Sequence, residues 1–250
     1  MEEVLTKEIQ KSTYLILRAF HDTCEKHQIK YSMAYGTLLG AVRHKDFIPW
    51  DDDVDVFMLR SEYEKFKAVF KNDDFYELVD SESDNKYPYL FPKIRKKGTV
   101  LIENNISDIN YNIGVYIDIF ILDEIPCGAR GLWKKMGFTI KYKLYRLCVL
   151  NISQINSILR PAAFLLRKIF SYNKLAKKCG EVYKNERGEL LRDASMLDEK
   201  IYLKKEDMAS LKIMAFGEYS FWGSNNYNSI LTRFYNDYMK YFCAKINITN

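Results

Sequence analysis

Residues 48–58 read Ile48-Pro49-Trp50-Asp51-Asp52-Asp53-Val54-Asp55-Val56-Phe57-Met58. Four carboxylates within five positions repel one another unless cations compensate them. A solvated acidic turn would usually lie among Lys, Ser and Gly, whereas this run is wedged between Pro49-Trp50 and an apolar segment. Residues 54–58 alternate a carboxylate with apolar neighbours, which predicts a strand. If alternation extends through the run, Asp51, Asp53 and Asp55 share one face and Asp52 turns away. Asp53 and Asp55 then present hard oxygen donors side by side, the set that Mg²⁺ or Mn²⁺ prefers. Trp50 reads as a packing anchor for the loop, ahead of a base-stacking platform.

Upstream, residues 31–35 form a short aromatic-rich strand, Gly36-Thr37 a tight turn and 38–42 the start of a helix. Such a turn exposes backbone N–H groups at a helix N-terminus, a setting suited to phosphate. Downstream, residues 115–121 (Val-Tyr-Ile-Asp-Ile-Phe-Ile) give the strongest strand signal in the chain. Asp118 sits in its middle, where a lone ionised carboxylate is very costly. A metal site shared with the acidic run supplies the missing partner. Two carboxylates from one strand and a third from its neighbour form a cradle for two-metal phosphoryl chemistry. Asp53, Asp55 and Asp118 are therefore the candidate catalytic groups, and Asp118 also the group to orient or deprotonate an acceptor hydroxyl. Asp51 joins them as a candidate metal ligand. Arg43 and Lys93 are candidate phosphate clamps, weighed against roles as surface cations. His44 is a candidate for phosphate or metal, with a structural hydrogen bond as the plainer role.

The other periodicities frame these residues. Residues 4–28 predict an amphipathic helix with Leu5, Ile9, Leu15, Ile16, Phe20 and Cys24 on its apolar face. Ser61 and Glu64 have the form of a capping box opening a helix to about residue 70. Residues 75–79, 90–94 and 100–103 are further strand candidates. Helices are expected over 131–150, 157–170 and 173–187, with a last one over 227–240. The order is α+β first, then mostly α. That divides the chain into a catalytic core, 1–128, and a basic helical region, 129–250, which completes the domain and is placed to meet an acceptor.

Charge marks the same division. Residues 1–128 carry 16 basic and 23 acidic side chains, 129–192 carry 15 and 3, and the last 58 carry 7 and 7. The basic, aromatic block 129–192 has three readings: a core-packing subdomain with a solvated cationic face, a peripheral contact with an anionic membrane, or a nucleic-acid surface. No recognition module is visible and the dense acidic site opposes nucleic acid, so no nucleic-acid partner is expected. Five scattered cysteines form no C-x-x-C pair, which fits a reducing compartment. The acidic opening Met1-Glu2-Glu3 is unlike a signal peptide, and no stretch has the length and apolarity of a membrane span. A cytoplasmic protein, peripheral at the inner membrane face if the second reading of 129–192 holds, is the expectation.

Residues 33–58 closely resemble the signature of the LicD family, which includes bacterial phosphocholine transferases and is related to fukutin and fukutin-related protein. The pieces Gly36-Thr37-Leu38-Leu39-Gly40, Arg43-His44 and Ile48-Pro49-Trp50-Asp51-Asp52-Asp53 match in order and spacing. Weaker matches are Phe91-Pro92-Lys93-Ile94, residues 117–123 and Tyr235-Asn236-Asp237-Tyr238-Met239. The nucleotidyltransferase superfamily likewise places a Gly-Gly/Ser/Thr turn ahead of an Asp-x-Asp strand. The resemblance implies a nucleotidyltransferase-fold mixed sheet with flanking helices, to which the mainly helical C-terminal part is appended. It also implies transfer of a phospho-alcohol from a CDP-alcohol donor to a glycan or lipid-linked glycan hydroxyl, with release of CMP. The family's metal-binding roles fall on Asp51, Asp53, Asp55 and Asp118. Two departures stand out: Asp46 and Asn236 occupy places where Gly is commoner, and the tail 241–245 lacks the family's usual Pro and His. Rival functions are an NTP-using nucleotidyltransferase that releases pyrophosphate and a catalytically silent glycan- or nucleotide-binding module.

Overall fold

The computed structural model describes residues 2–101, 111–193 and 201–240. Along the chain run α1 (Glu2–Lys26), β1 (Ser32–Met33), α2 (Tyr35–Arg43), β2 (Asp55–Leu59), α3 (Arg60–Val69), β3 (Tyr76–Val79), β4 (Lys93–Lys96) and β5 (Tyr116–Ile125). Then follow α4 (Gly128–Val149), α5 (Arg160–Ile169), α6 (Tyr172–Gly180), β6 (Leu190–Asp193), β7 (Leu203–Lys204), α7 (Lys205–Ala209), β8 (Leu211–Phe216), β9 (Tyr219–Ser224) and α8 (Tyr227–Tyr235). The architecture is α+β around a mixed sheet.

β5 is the axis of that sheet. β2 pairs with it in parallel, from Asp55 opposite Asp118 to Leu59 opposite Leu122. β4 pairs antiparallel with its first residues, Lys93 opposite Asp118, and β6 antiparallel with its last four, 122–125. β3 extends the β4 side, β1 the β2 side and β7 the β6 side. β5 is buried on both faces at Ile117, Ile119 and Phe120, so it reads as a nearly continuous apolar run. α1 lays Ile16, Leu17, Phe20 and Cys24 into this core at helical spacing. Leu5 and Leu15, expected on the same face, are exposed.

Helix outweighs strand among the described residues of 129–250, as expected, but β6 to β9 also lie there, which the helical reading did not include. β8 and β9 make a hairpin with Phe216 opposite Tyr219, and its two-residue turn carries Gly217 at φ +61°. This hairpin packs on β1 and α2. α4 and α6 enclose a second core of Phe138, Tyr145, Cys148, Leu175, Cys179 and Tyr183.

Other expectations shift at their edges. α3 begins at Arg60 with Leu59 as its N-cap, because β2 runs into it without a loop. Ser61 is thus inside the first turn and no capping box forms. α6 ends at Gly180, seven residues before the expected end. α8 ends at Tyr235 because Asn236 adopts φ +58°, ψ −119°, a backbone state that glycine enters freely. Residues 100–101 are not strand, and the rest of the 100–103 candidate and the tail 241–245 lie outside the described residues. Cys24, Cys127, Cys148 and Cys179 are free thiols.

Candidate active site

β2 does not extend back through the acidic run. Residues 51–54 have no partner strand, since β1 pairs only with Val56 and Phe57. Strict alternation therefore does not set the faces of Asp51 and Asp53. Other contacts hold the segment instead. The Asp51 N–H donates to the Ile48 carbonyl at 2.9 Å and the Asp118 N–H to the Val54 carbonyl at 2.8 Å. From α1, Gln10 Nε2 donates to the Asp51 carbonyl at 2.7 Å and Thr13 Oγ1 to the Asp52 carbonyl at 3.4 Å. Asp52 is exposed, and Trp50 is 73% exposed, so it is not the buried packing anchor expected.

Thr37 sits in the first turn of α2, buried, and its Oγ1 accepts the Asp55 N–H at 2.8 Å. That bond fixes the start of β2 against the start of α2. Gly36 lies equally close to the run: a Cβ there would stand 2.6 Å from Asp51 Oδ2, so any side chain at 36 would displace that carboxylate. The Asp51 carboxylate thus lies against the N-terminal turn of α2, where unpaired amides and the helix dipole favour an anion. Any phosphate at that turn would share it with Asp51, and two anions at one helix end repel unless a cation lies between them.

The parallel register brings Asp55 directly beside Asp118, and Lys93 of β4 stands on the other side of Asp118. Lys93 is 1% exposed, and its Nζ donates to Asp118 Oδ1 at 2.5 Å. Three rings surround the ammonium: Tyr116 at 3.4 Å, Tyr89 at 4.4 Å and Phe91 at 5.0 Å from their centroids. Lys93 is therefore the resident cation of Asp118 rather than a surface group. Neighbouring Tyr87, fully buried, donates to the Phe91 carbonyl at 2.6 Å.

Electrostatics concentrate on the same residues. Burial, then the charge of Asp53 and a hydrogen bond with it, push the Asp51 carboxyl up to about 7. Burial, then Asp53 and Asp118, raise Asp55 well above the usual carboxylate range, with Lys93 opposing. Asp51, Asp53, Asp55 and Asp118 offer only hard oxygen donors and an excess of negative charge over the one lysine, which suits Mg²⁺ or Mn²⁺. Among the described residues no three His, Cys, Asp or Glu side chains stand converged as a ready cage, so an ion would have to draw the carboxylates together.

Arg43 and His44 start from the opposite end of α2. α2 runs from the carboxylates at Tyr35 to Arg43 at its far end, about 10 Å of helix rise from Gly36. Arg43 and His44 belong to that end, where the His44 N–H caps the Gly40 carbonyl at 2.8 Å. Burial, then Arg43, lowers the His44 imidazole from its ordinary value.

Sequence reading missed two tyrosines. Tyr235, at the end of α8, is raised by burial and then by Asp55, Asp51 and Asp53, so its phenol lies within reach of the charge of the acidic cluster. Tyr35, with φ +39°, donates to Asp193 Oδ2 at 2.7 Å and stacks with Phe234 of α8. A bulky residue at positive φ is strained, and these contacts hold it there. Tyr235 lay in a quoted motif without an assigned role, and nothing local marked Tyr35.

A family model described as "LicD/FKTN/FKRP, nucleotidyltransferase domain" matches residues 28–120, which hold every candidate site residue. "Lipopolysaccharide cholinephosphotransferase LicD" of Haemophilus influenzae is 30% identical over 257 residues, covering 96% of this chain and 93% of that protein. "Uncharacterized protein RT0683" of Rickettsia typhi is 40% identical over 58 residues, 23% of this chain and 19% of that protein. "Uncharacterized protein RP689" of Rickettsia prowazekii is 43% identical over 51 residues, 20% and 19% respectively.

Proposed function

The chain belongs to the LicD family, a family of transferases, and we propose that it moves a phospho-alcohol group, phosphocholine first among the candidates, from a CDP-activated donor to a hydroxyl of a cell-surface glycan or its lipid-linked precursor, releasing CMP. The observation that carries this reading is the 30% identity to a lipopolysaccharide cholinephosphotransferase across 93% of that protein. We read the sheet around β2 and β5 as a nucleotidyltransferase core, with 1–128 supplying catalysis and 129–250 completing the domain beside the acceptor. The protein would work in the cytoplasm.

Asp51, Asp53, Asp55 and Asp118 would hold Mg²⁺ or Mn²⁺, whose chemistry when bound is to neutralise and polarise the donor's phosphates. The amides of Gly36 and Thr37 in the first turn of α2 would receive a phosphate oxygen. The acceptor hydroxyl attacks the phosphorus that bears the alcohol, in line with the bridging oxygen to CMP. The new oxygen–phosphorus bond forms, the bridging bond breaks, and CMP leaves with the bridging oxygen. The hydroxyl proton passes to a site carboxylate, Asp118 being the candidate that also orients the hydroxyl. Lys93 holds Asp118 in place for that task.

The test is a panel of CDP-choline, CDP-ethanolamine, CDP-glycerol, CDP-ribitol and the four NTPs, with Mg²⁺, Mn²⁺ or EDTA. The right donor should raise the melting temperature by mass action only with a divalent ion present. With acceptor added, it should yield CMP. Pyrophosphate released from an NTP would instead establish a nucleotidyltransferase, and protection by no donor at all would favour a silent binding module.

A further inference from the structure

The helices α4 and α5 carry two kinds of surface at once. α4 buries Phe138, Tyr145, Cys148 and Val149 on one face against α6. Its opposite face is also apolar: Leu132, Trp133, Met136 and Ile140 project at helical spacing and are 58%, 71%, 47% and 60% exposed. α5 touches α4 and repeats the pattern. It buries only Ala163, while Phe164, Leu165 and Ile169 stand out, with Ile158 just before the helix 83% exposed. A soluble monomer rarely leaves so much apolar area uncovered without a partner for it.

The charge around these faces says what that partner is. From residue 129 to residue 180 the chain has twelve Lys or Arg and no Asp or Glu. Several of these cations are used internally: Arg167 bonds the carbonyls of Leu147 and Leu150, and Lys134 pairs with Glu186. Others reach outward beside the apolar residues, among them Lys143 and Lys168, the latter lying over the Phe164 ring at 4.5 Å. A groove of about 790 Å³ between α4 and α6 adds Lys141 and Lys178 beside Trp133. A second copy docked through the outer faces of α4 and α5 would bring together two pairs of helices that carry Lys and Arg and no Asp or Glu, so like charge opposes self-association. No described helix is long and apolar enough to cross a membrane. Helices with an apolar face flanked by Lys and Arg fit the boundary of an anionic bilayer, with aliphatic and Trp side chains among the acyl chains and ammonium groups at the headgroups.

We propose that the outer faces of α4 and α5 form a docking surface for an anionic lipid bilayer. The proposal stands on this surface alone and survives whatever the donor proves to be. It is tested with the full chain and vesicles of pure phosphatidylcholine or of phosphatidylcholine with phosphatidylglycerol, read by flotation and by the blue shift of tryptophan emission. Binding should require phosphatidylglycerol and weaken as salt rises. Leu165→Glu with Ile169→Glu should lower partition at least about tenfold. Lys143→Gln with Lys168→Gln should lower it by a similar factor, with more of the loss at low salt. All four positions are exposed, so circular dichroism and the melting temperature should stay at wild-type values. No flotation with anionic vesicles, flotation unchanged by the Glu pair, or a dimer in sedimentation that the Glu pair dissolves would each overturn it.

Discussion

Replacing Asp118 by Asn removes the carboxylate that Lys93 holds. The side chains of Lys93 and Asp118 are 2% and 9% exposed, and Nζ stands 2.5 Å from Oδ1. Removing one partner of a buried ion pair costs about 3–5 kcal/mol, because the other charge is stranded. The rings of Tyr116, Tyr89 and Phe91 soften that by about 1–2 kcal/mol, since each offers its negative face to the ammonium. About 1–4 kcal/mol remains. For a chain of 250 residues this should appear as a fall of roughly 2–16 °C in melting temperature. Melting curves in EDTA read this cost without metal. Lys93→Met in the Asp118→Asn background should recover most of the loss, a coupling of at least about 1 kcal/mol. Melting curves with excess Mg²⁺ then read the second role, and Asp118→Asn should lose most of the Mg²⁺-dependent rise together with activity. If Asp118→Asn melts with wild type in EDTA, or the double variant recovers nothing, the ion-pair reasoning fails. A variant that melts low in EDTA yet keeps the full Mg²⁺ shift removes Asp118 from the ligand set.

Asp53→Asn or Asp55→Asn should abolish turnover and leave circular dichroism unchanged, with metal-free stability level or higher as repulsion is relieved; wild-type activity in either would end the metal-site assignment. Thr37→Val should strand the Asp55 N–H and cost about 1–3 kcal/mol, read by urea denaturation, and a neutral result would mean that the hydroxyl does not fix the start of β2. In EDTA the Asp51 carboxyl, up at about 7, binds a proton in the folded protein that the unfolded chain gives up near pH 4. Stability should therefore fall as pH rises from about 4 to about 7, and Asp51→Asn should flatten that slope; an equally steep slope in the variant would show the burden lies elsewhere. Asn236→Gly should relieve the backbone at φ +58°, ψ −119° and raise stability by about 1 kcal/mol, whereas a lower melting temperature would show that the Asn side chain compensates the strain.

The elements that carry the site were legible because each is written in a local pattern. The apolar run around Asp118 marked β5, the alternation after Asp53 marked β2, and Gly36-Thr37 marked the start of α2. Their adjacency followed from the cost of burying Asp118 alone. The cation that Asp118 keeps was not legible, because Lys93 looked like any basic residue until β4 set it opposite Asp118. Arg43 and His44 stand at the end of α2 away from Gly36, a separation that sequence proximity does not convey, since a helix carries close neighbours in sequence well apart in space. β6 and β7 are short pieces of mixed composition whose strand character comes from pairing with one another and with β5. β8 and β9 did leave a signal, the two residues Gly217-Glu218 between partly alternating segments, and it was overlooked.

The position of β5 has a practical side. Its first residues carry the candidate chemistry, while its last four meet a strand that the chain supplies some 65 residues later. A fragment ending at residue 128 would keep every candidate carboxylate and still leave 122–125 as a bare row of backbone donors and acceptors. Bare edges of that kind invite another chain to add its own strand. The mid-chain basic helices therefore act as a long tether, and whoever shortens this protein for the laboratory should expect aggregates or swapped dimers unless β6 travels with the carboxylates it shelters.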